Sequence, residues 1–232
     1  MTTENEARDY HGRWTAGDGG VPGGDPDVTK TSGLTPDAIS ARQTAFAAKY
    51  GADVSSETNK LAADWFTMRP TSHMDSYLKG ALPDGAEKRA WDAVHDDTQR
   101  RLGGVDQIDL YRGIPGKEIA DAVLSAKAAG AAFVEIPIHD SKNHTHEAVC
   151  ATERRDLAEA YAASRWARHN GDPADAHTGV VLHMKVPKAD VVFSTANSAF
   201  TNPYTPNWNE YLVRTHGIPS IKLPISDIQV AQ

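Results

Sequence analysis

Three short stretches carry side chains whose chemistry fits one task. In Tyr111-Arg112-Gly113 an arginine stands beside a glycine on an apolar, strand-like run. A guanidinium fork grips a diphosphate through two parallel charge-assisted hydrogen bonds, which lysine cannot match. The neighbouring glycine lets a ligand come close to the backbone. In Cys150-Ala151-Thr152 a hydroxyl precedes a helical pattern; it can orient a ribose or a carboxylate at a strand edge. Glu210, in Trp208-Asn209-Glu210-Tyr211-Leu212-Val213, starts a late apolar strand. A carboxylate bonded to a ribose hydroxyl stabilises the oxocarbenium-like cation that forms when a glycosidic bond breaks. Each residue also has an ordinary use: Arg112 as an ion-pairing strand residue, Thr152 as a near-cap hydroxyl, Glu210 as a rim residue.

Other groups suggest weaker chemistry. His139, His144, His146 and Cys150 have types that bind zinc. They fall in a polar stretch with no second cysteine, so a solvated loop is expected and no metal. Ser194-Thr195-Ala196 follows the wrong strand to supply the hydroxyl and reads as loop chemistry. Cys150 as a nucleophile needs a lowered pKa; a small buried residue is its expected role.

The elements that must hold these groups change character along the chain. Thr35-Pro36-Asp37 is a cap, a first-turn proline and a first-turn acid, which starts a helix that Gly51 ends. A second helix is expected from Ser56 through Leu61, Trp65 and Phe66. A broken helical stretch runs from Met68 to Lys79, and a long helix from about Ala86 to Leu102 stops at Gly103-Gly104. After that, Ile108 to Ile114 reads as a strand, Glu118 to Ala129 as a helix, 132–138 and Val149 to Thr152 as strands, and Arg155 to His169 as a helix. Val180, Leu182, Met184 and Val186 alternate with their neighbours as a half-buried strand. Val191 to Phe193, Asn209 to Arg214 and Ser220 to Ile225 are the last strands expected. Helices first and strands afterwards predict an α+β fold.

Residues 1–34 hold 7 of the 18 glycines and almost no aliphatic side chains, so they read as a flexible, disordered leader. Residues 35–232 read as a single domain, with 35–105 its helical part and 106–232 its β-rich core. One cysteine excludes an internal disulfide. A net charge of −7 argues against general nucleic-acid binding, and no apolar run approaches the length of a membrane span.

The ordered set of motifs resembles the ADP-ribosyltransferase toxins of the arginine–serine–glutamate class. That family shows Tyr-Arg-Gly, then Ser-Thr-Ser ahead of a helix with Ala-Glu-x-Phe-Ala, then Glu-x-Glu on a strand. This chain has Tyr111-Arg112-Gly113, Cys150-Ala151-Thr152 ahead of Ala158-Glu159-Ala160-Tyr161-Ala162, and Glu210; Gly179 to Pro187 is similar to the family's intervening strand. The resemblance spans residues 60 to 230 or so. It implies an ADP-ribosyltransferase-like fold, with N-terminal helices packed beside a two-sheet core. It also implies NAD as substrate, cleaved at the nicotinamide–ribose bond, with transfer of ADP-ribose to a macromolecular acceptor or release by hydrolysis. Arg112, Tyr111, Gly113, Cys150, Ala151 and Thr152 would contact NAD, and Glu210, Thr152 and Arg112 would act on it. Tyr204 and Trp208 fall where the family recognises its targets. The chain departs from the pattern at Cys150, at Ala151, and at Trp208, which replaces the acidic or amide residue that handles the acceptor.

Arg8-Asp9-Tyr10-His11-Gly12-Arg13-Trp14-Thr15 resembles short segments of bacteriophage head and portal-associated proteins. This implies a phage-encoded protein, located in the virion or the bacterial host cytoplasm. Its acceptor would then be a host protein, and its leader would dock on head or portal proteins. The alternative is a non-catalytic virion protein on the same fold.

Overall fold

The computed structural model describes residues 36–67, 72–137, 147–163, 178–194 and 210–231. The leader, the His139–His146 stretch, Tyr204 and Trp208 lie outside the described residues. The chain divides into two compact units, Met1–Thr98 with Ser194–Trp208, and Gln99–Phe193 with Asn209–Gln232.

The first unit is helical. α1 (Pro36–Tyr50) and α2 (Ala52–Thr67) meet at Gly51, whose φ of 101° suits glycine. α2 starts four residues before the expected Ser56, because Gly51 both ends one helix and launches the next, and Asp53 supplies a first-turn acid. α3 (Ser72–Leu78) is the short helical piece expected after Pro70. α4 (Ala86–Arg101) buries Ala90, Trp91, Ala93 and Val94 on one stripe, as helical periodicity requires. Phe46, Val54, Leu61, Met74 and Leu78 are the buried apolar residues of the other helices. Tyr77 stacks on Trp91 at 5.4 Å, and the Arg89 guanidinium donates to Asp53 at 2.7 Å.

The second unit is β-rich. Its strands are β1 (Gln107–Pro115), β2 (Phe133–Pro137), β3 (Ala148–Thr152), β4 (Gly179–Pro187), β5 (Val191–Ser194), β6 (Glu210–Arg214), β7 (Ser220–Pro224) and β8 (Ile228–Ala231), with helices α5 (Lys117–Ala128) and α6 (Arg155–Ala162). A six-stranded sheet has the order β5-β6-β3-β1-β4-β8, and β2 pairs with β7 in a second sheet. The expectation of α+β with two sheets therefore holds at that level. β8 was not among the expected strands; it adds antiparallel to the outer edge of β4, with Val180 opposite Val230.

The larger core joins both sheets and α5. Leu110, Ile114, Val149, Ala151, Val180, Leu182, Tyr211 and Val213 come from the large sheet, Ile136 and Leu223 from the small one, and Ala120 and Val123 from α5. On the other face of the large sheet, α6 lays Ala158 and Ala162 against Val181 and Ala231, with Tyr111 beside them. Two glycines let α6 lie this close. A Cβ on Gly113 would stand 2.1 Å from the Ala158 carbonyl oxygen, and one on Gly179 would stand 2.2 Å from that of Ala162.

Candidate functional site

Strand register decides which of the candidate side chains meet. Tyr111 on β1 is opposite Thr152 on β3, and Thr152 is opposite Glu210 on β6. Tyr111 is also opposite His183 on β4. Directly opposed residues share a face, so His183, Tyr111, Thr152 and Glu210 form one row across four neighbouring strands. The row lies on the α6 face, since Val149, Ala151, Tyr211 and Val213 turn into the larger core.

Arg112 is not part of that row. It stands between Leu110 and Ile114, which belong to the larger core, and strand alternation places it on their face, opposite the one that carries Thr152 and Glu210. Its Nη1 donates to the Cys150 carbonyl oxygen at 2.6 Å, while its Nε is buried without a hydrogen-bond partner among the described residues. The guanidinium thus ties β1 to β3 through the main chain. Arg112 therefore does not share a face of the large sheet with Thr152 and Glu210. The reason is elementary: Arg112 directly follows Tyr111, and a step of one residue along a strand inverts the face.

Gly113 also has a different use from the one expected. The space above its Cα is occupied by the α6 backbone, so close approach there belongs to the helix rather than a ligand. Cys150 is half-buried and Ala151 is buried in the larger core. Thr152, 8% exposed, accepts a hydrogen bond from the Arg154 amide at 3.1 Å, just ahead of α6. This is a local turn-forming use of a threonine, and it leaves the hydroxyl proton available to donate. Glu210 is half-buried at the head of β6.

Charge around the row is arranged by α6 and its approach. Arg154 bonds to Asp156 in the first turn of α6, through Nε at 3.1 Å and through a second nitrogen. These bonds hold the Asp156 carboxyl below its ordinary range, against a smaller opposing effect of burial. Arg155 bonds to Glu159 at 2.9 Å and also reaches Gln229 on β8. On the opposite face, the Tyr211 hydroxyl donates to Glu153 at 2.6 Å.

Sequence reasoning missed His183 and Asp109. His183 Nε2 lies 2.9 Å from Asp109 Oδ1, and its ring stacks on Tyr111 at 5.0 Å between centroids, with 19° between planes. The available signal was a histidine on the polar face of an alternating strand. Among the described residues no group of three or more His, Cys, Asp or Glu side chains could hold a metal ion. Among them, too, no helix is long and apolar enough to cross a membrane. Comparison with protein-family models, curated proteins and solved structures gives no significant match.

Proposed function

We propose that the protein is an NAD-cleaving mono-ADP-ribosyltransferase whose reacting end is held by Thr152 and Glu210. The observation that carries this reading is their direct opposition across β3 and β6, from motifs far apart in sequence. The bond between nicotinamide and C1 of the ribose breaks, and its electron pair goes to the pyridine nitrogen, which becomes neutral. The positive charge left on the ribose is stabilised by the Glu210 carboxylate, and the Thr152 hydroxyl orients the carboxylate or the ribose. An acceptor nucleophile, or water, then bonds to C1 and loses a proton. Arg112, on the other face, acts in this reading by fixing β3 to β1 rather than by holding the diphosphate. The acceptor is a host protein, and Tyr204 and Trp208 contact it. The leader docks on phage head or portal proteins, so the enzyme is carried in the virion and works in the host cytoplasm.

The experiment is incubation of the purified chain with labelled NAD, with and without host lysate. Nicotinamide release or label transfer that disappears in Glu210→Ala supports the reading; absence of both from the wild-type chain overturns it. The separation of Arg112 from Glu210 favours a second reading, a non-catalytic virion protein on the same fold. That reading predicts no turnover, and co-purification with phage heads that Glu210→Ala does not alter.

A further inference from the structure

We propose that Tyr211 and Glu153 are positioning residues that latch the Thr152–Glu210 pair from the opposite face of the large sheet. That the pair cleaves NAD rests on the catalytic reading; the latch itself does not. β3 ends at Thr152, so Thr152 with Glu210 is the last pair of the β3–β6 ladder among the described residues. The end of a ladder opens more readily than its middle. Toward β1, the register of β3 among the described residues is the single pair Thr152 with Tyr111. The Arg112 bond to the Cys150 carbonyl oxygen supplements it from the core face. Toward β6 the same face supplies a second tie. Tyr211 directly follows Glu210, and Glu153 directly follows Thr152. The Tyr211 side chain is buried in the larger core, and its hydroxyl donates to Glu153 Oε1 at 2.6 Å. A hydroxyl on a carboxylate makes one of the shorter and stronger hydrogen bonds. Burial fixes the ring, so the hydroxyl has a set position and draws in the peptide that follows Thr152. The bond crosses beneath the pair, and keeps Thr152 and Glu210 at the separation of directly opposed side chains, about 4.5–5.5 Å between Cβ atoms. An open pair would part the Thr152 hydroxyl from the carboxylate it orients.

The test uses the full-length protein, amide hydrogen exchange read by mass spectrometry, and NAD cleavage. Tyr211→Phe removes the hydroxyl and keeps the ring in the core. It is expected to make β3 and β6 exchange about tenfold faster, the equivalent of one ordinary hydrogen bond, with β4 unchanged. Glu153→Ala is expected to match it, and the double variant to be no looser than either single one. Glu153→Gln keeps an acceptor in place and should restore most of the protection. Cleavage is assayed well below the melting temperature of each variant. Its kcat should fall about tenfold in Tyr211→Phe and in Glu153→Ala, with KM within about twofold, and recover in Glu153→Gln. A general loss of stability would loosen β4 as well and leave the rate per folded molecule unmoved. Wild-type exchange in Tyr211→Phe overturns the latch, as do loosening that extends equally to β4 and additive effects in the double variant. Nicotinamide release lost in Glu210→Ala but unmoved in Tyr211→Phe sinks the positioning role and leaves the catalytic reading standing. No NAD cleavage by the wild-type chain, with β3 and β6 loosened in Tyr211→Phe, ends the catalytic reading and leaves the latch.

Discussion

Arg112 and Thr152 belong to adjacent strands but leave opposite faces of the same sheet, and what links them is the bond from Arg112 Nη1 to the carbonyl oxygen of Cys150, 2.6 Å long. The arginine is thereby a tie between strands whose effect on Thr152 passes through the main chain. Arg112→Ala should remove that bond between β1 and β3. A destabilisation of about 1–3 kcal/mol is expected, read as a lowered urea midpoint with an unchanged slope. In the proposed enzyme the variant should lower kcat for NAD cleavage more than it raises KM, because it shifts a positioned group rather than a diphosphate ligand. A large rise in KM at constant kcat would return Arg112 to the diphosphate.

Glu210→Gln keeps the size of the side chain and removes the charge. Nicotinamide release should fall about 10²–10³-fold, the range for loss of one group that stabilises transition-state charge. The melting temperature should change little, since Glu210 is half-buried at a strand end. Nicotinamide release at the wild-type rate would remove Glu210 from the chemistry.

Gly113→Ala should be costly, because its Cβ would meet backbone atoms of α6 at 2.1 Å and 2.8 Å. Backbone cannot rotate away as a flexible side chain can, so α6 must lift from the sheet. About 1–3 kcal/mol of destabilisation is expected, or more, a drop of several degrees in melting temperature. Gly179→Ala should behave alike, since its Cβ would approach the Ala162 carbonyl oxygen. If neither variant melts lower, α6 does not press on these strands.

How much of this was legible depends on the range of the interactions involved. Helix ends were readable because a local requirement sets them: Gly51, Gly103 and Gly130 all take positive φ. The face of Arg112 was also within reach, since alternation along β1 places it with Leu110 and Ile114. The face of Thr152 and Glu210 was not, because it depends on register between strand residues 41 and 58 positions apart, Tyr111 with Thr152 and Thr152 with Glu210. β8 escaped for the same reason. Four residues at the end of the chain, Ile228–Ala231, form a strand only through pairing with β4.

Asp156 should make stability depend on acid. Its folded pKa is depressed by the Arg154 guanidinium, so the stabilisation is present above the ordinary Asp range. It is lost as the pH falls through the folded value. The pair is exposed on the Asp156 side, 52% of the side chain, which limits the effect to about 0.2–1 kcal/mol. Asp156→Asn should therefore be slightly less stable than wild type at pH 7, and the gap should close on acidification. A gap that widens toward acid would show that another group dominates.

Thr152 separates fold from chemistry most directly. Its hydroxyl accepts the Arg154 amide at 3.1 Å where the chain turns from β3 into α6, and the side chain is almost fully buried. Valine has the same shape without the hydroxyl, so Thr152→Val removes the acceptor that Thr152 offers to the part-buried Arg154 amide. The expected cost is about 1–2 kcal/mol, seen as a lowered urea midpoint. Thr152→Ser retains the acceptor and should recover most of that stability. In the proposed enzyme, Thr152→Ser should also retain NAD cleavage, because the same oxygen keeps a proton to donate toward the ribose or Glu210. Thr152→Val should lose cleavage well beyond what its unfolded fraction explains. If Thr152→Val loses stability but cleaves NAD at the wild-type rate per folded molecule, the hydroxyl serves the turn alone and Glu210 works without it.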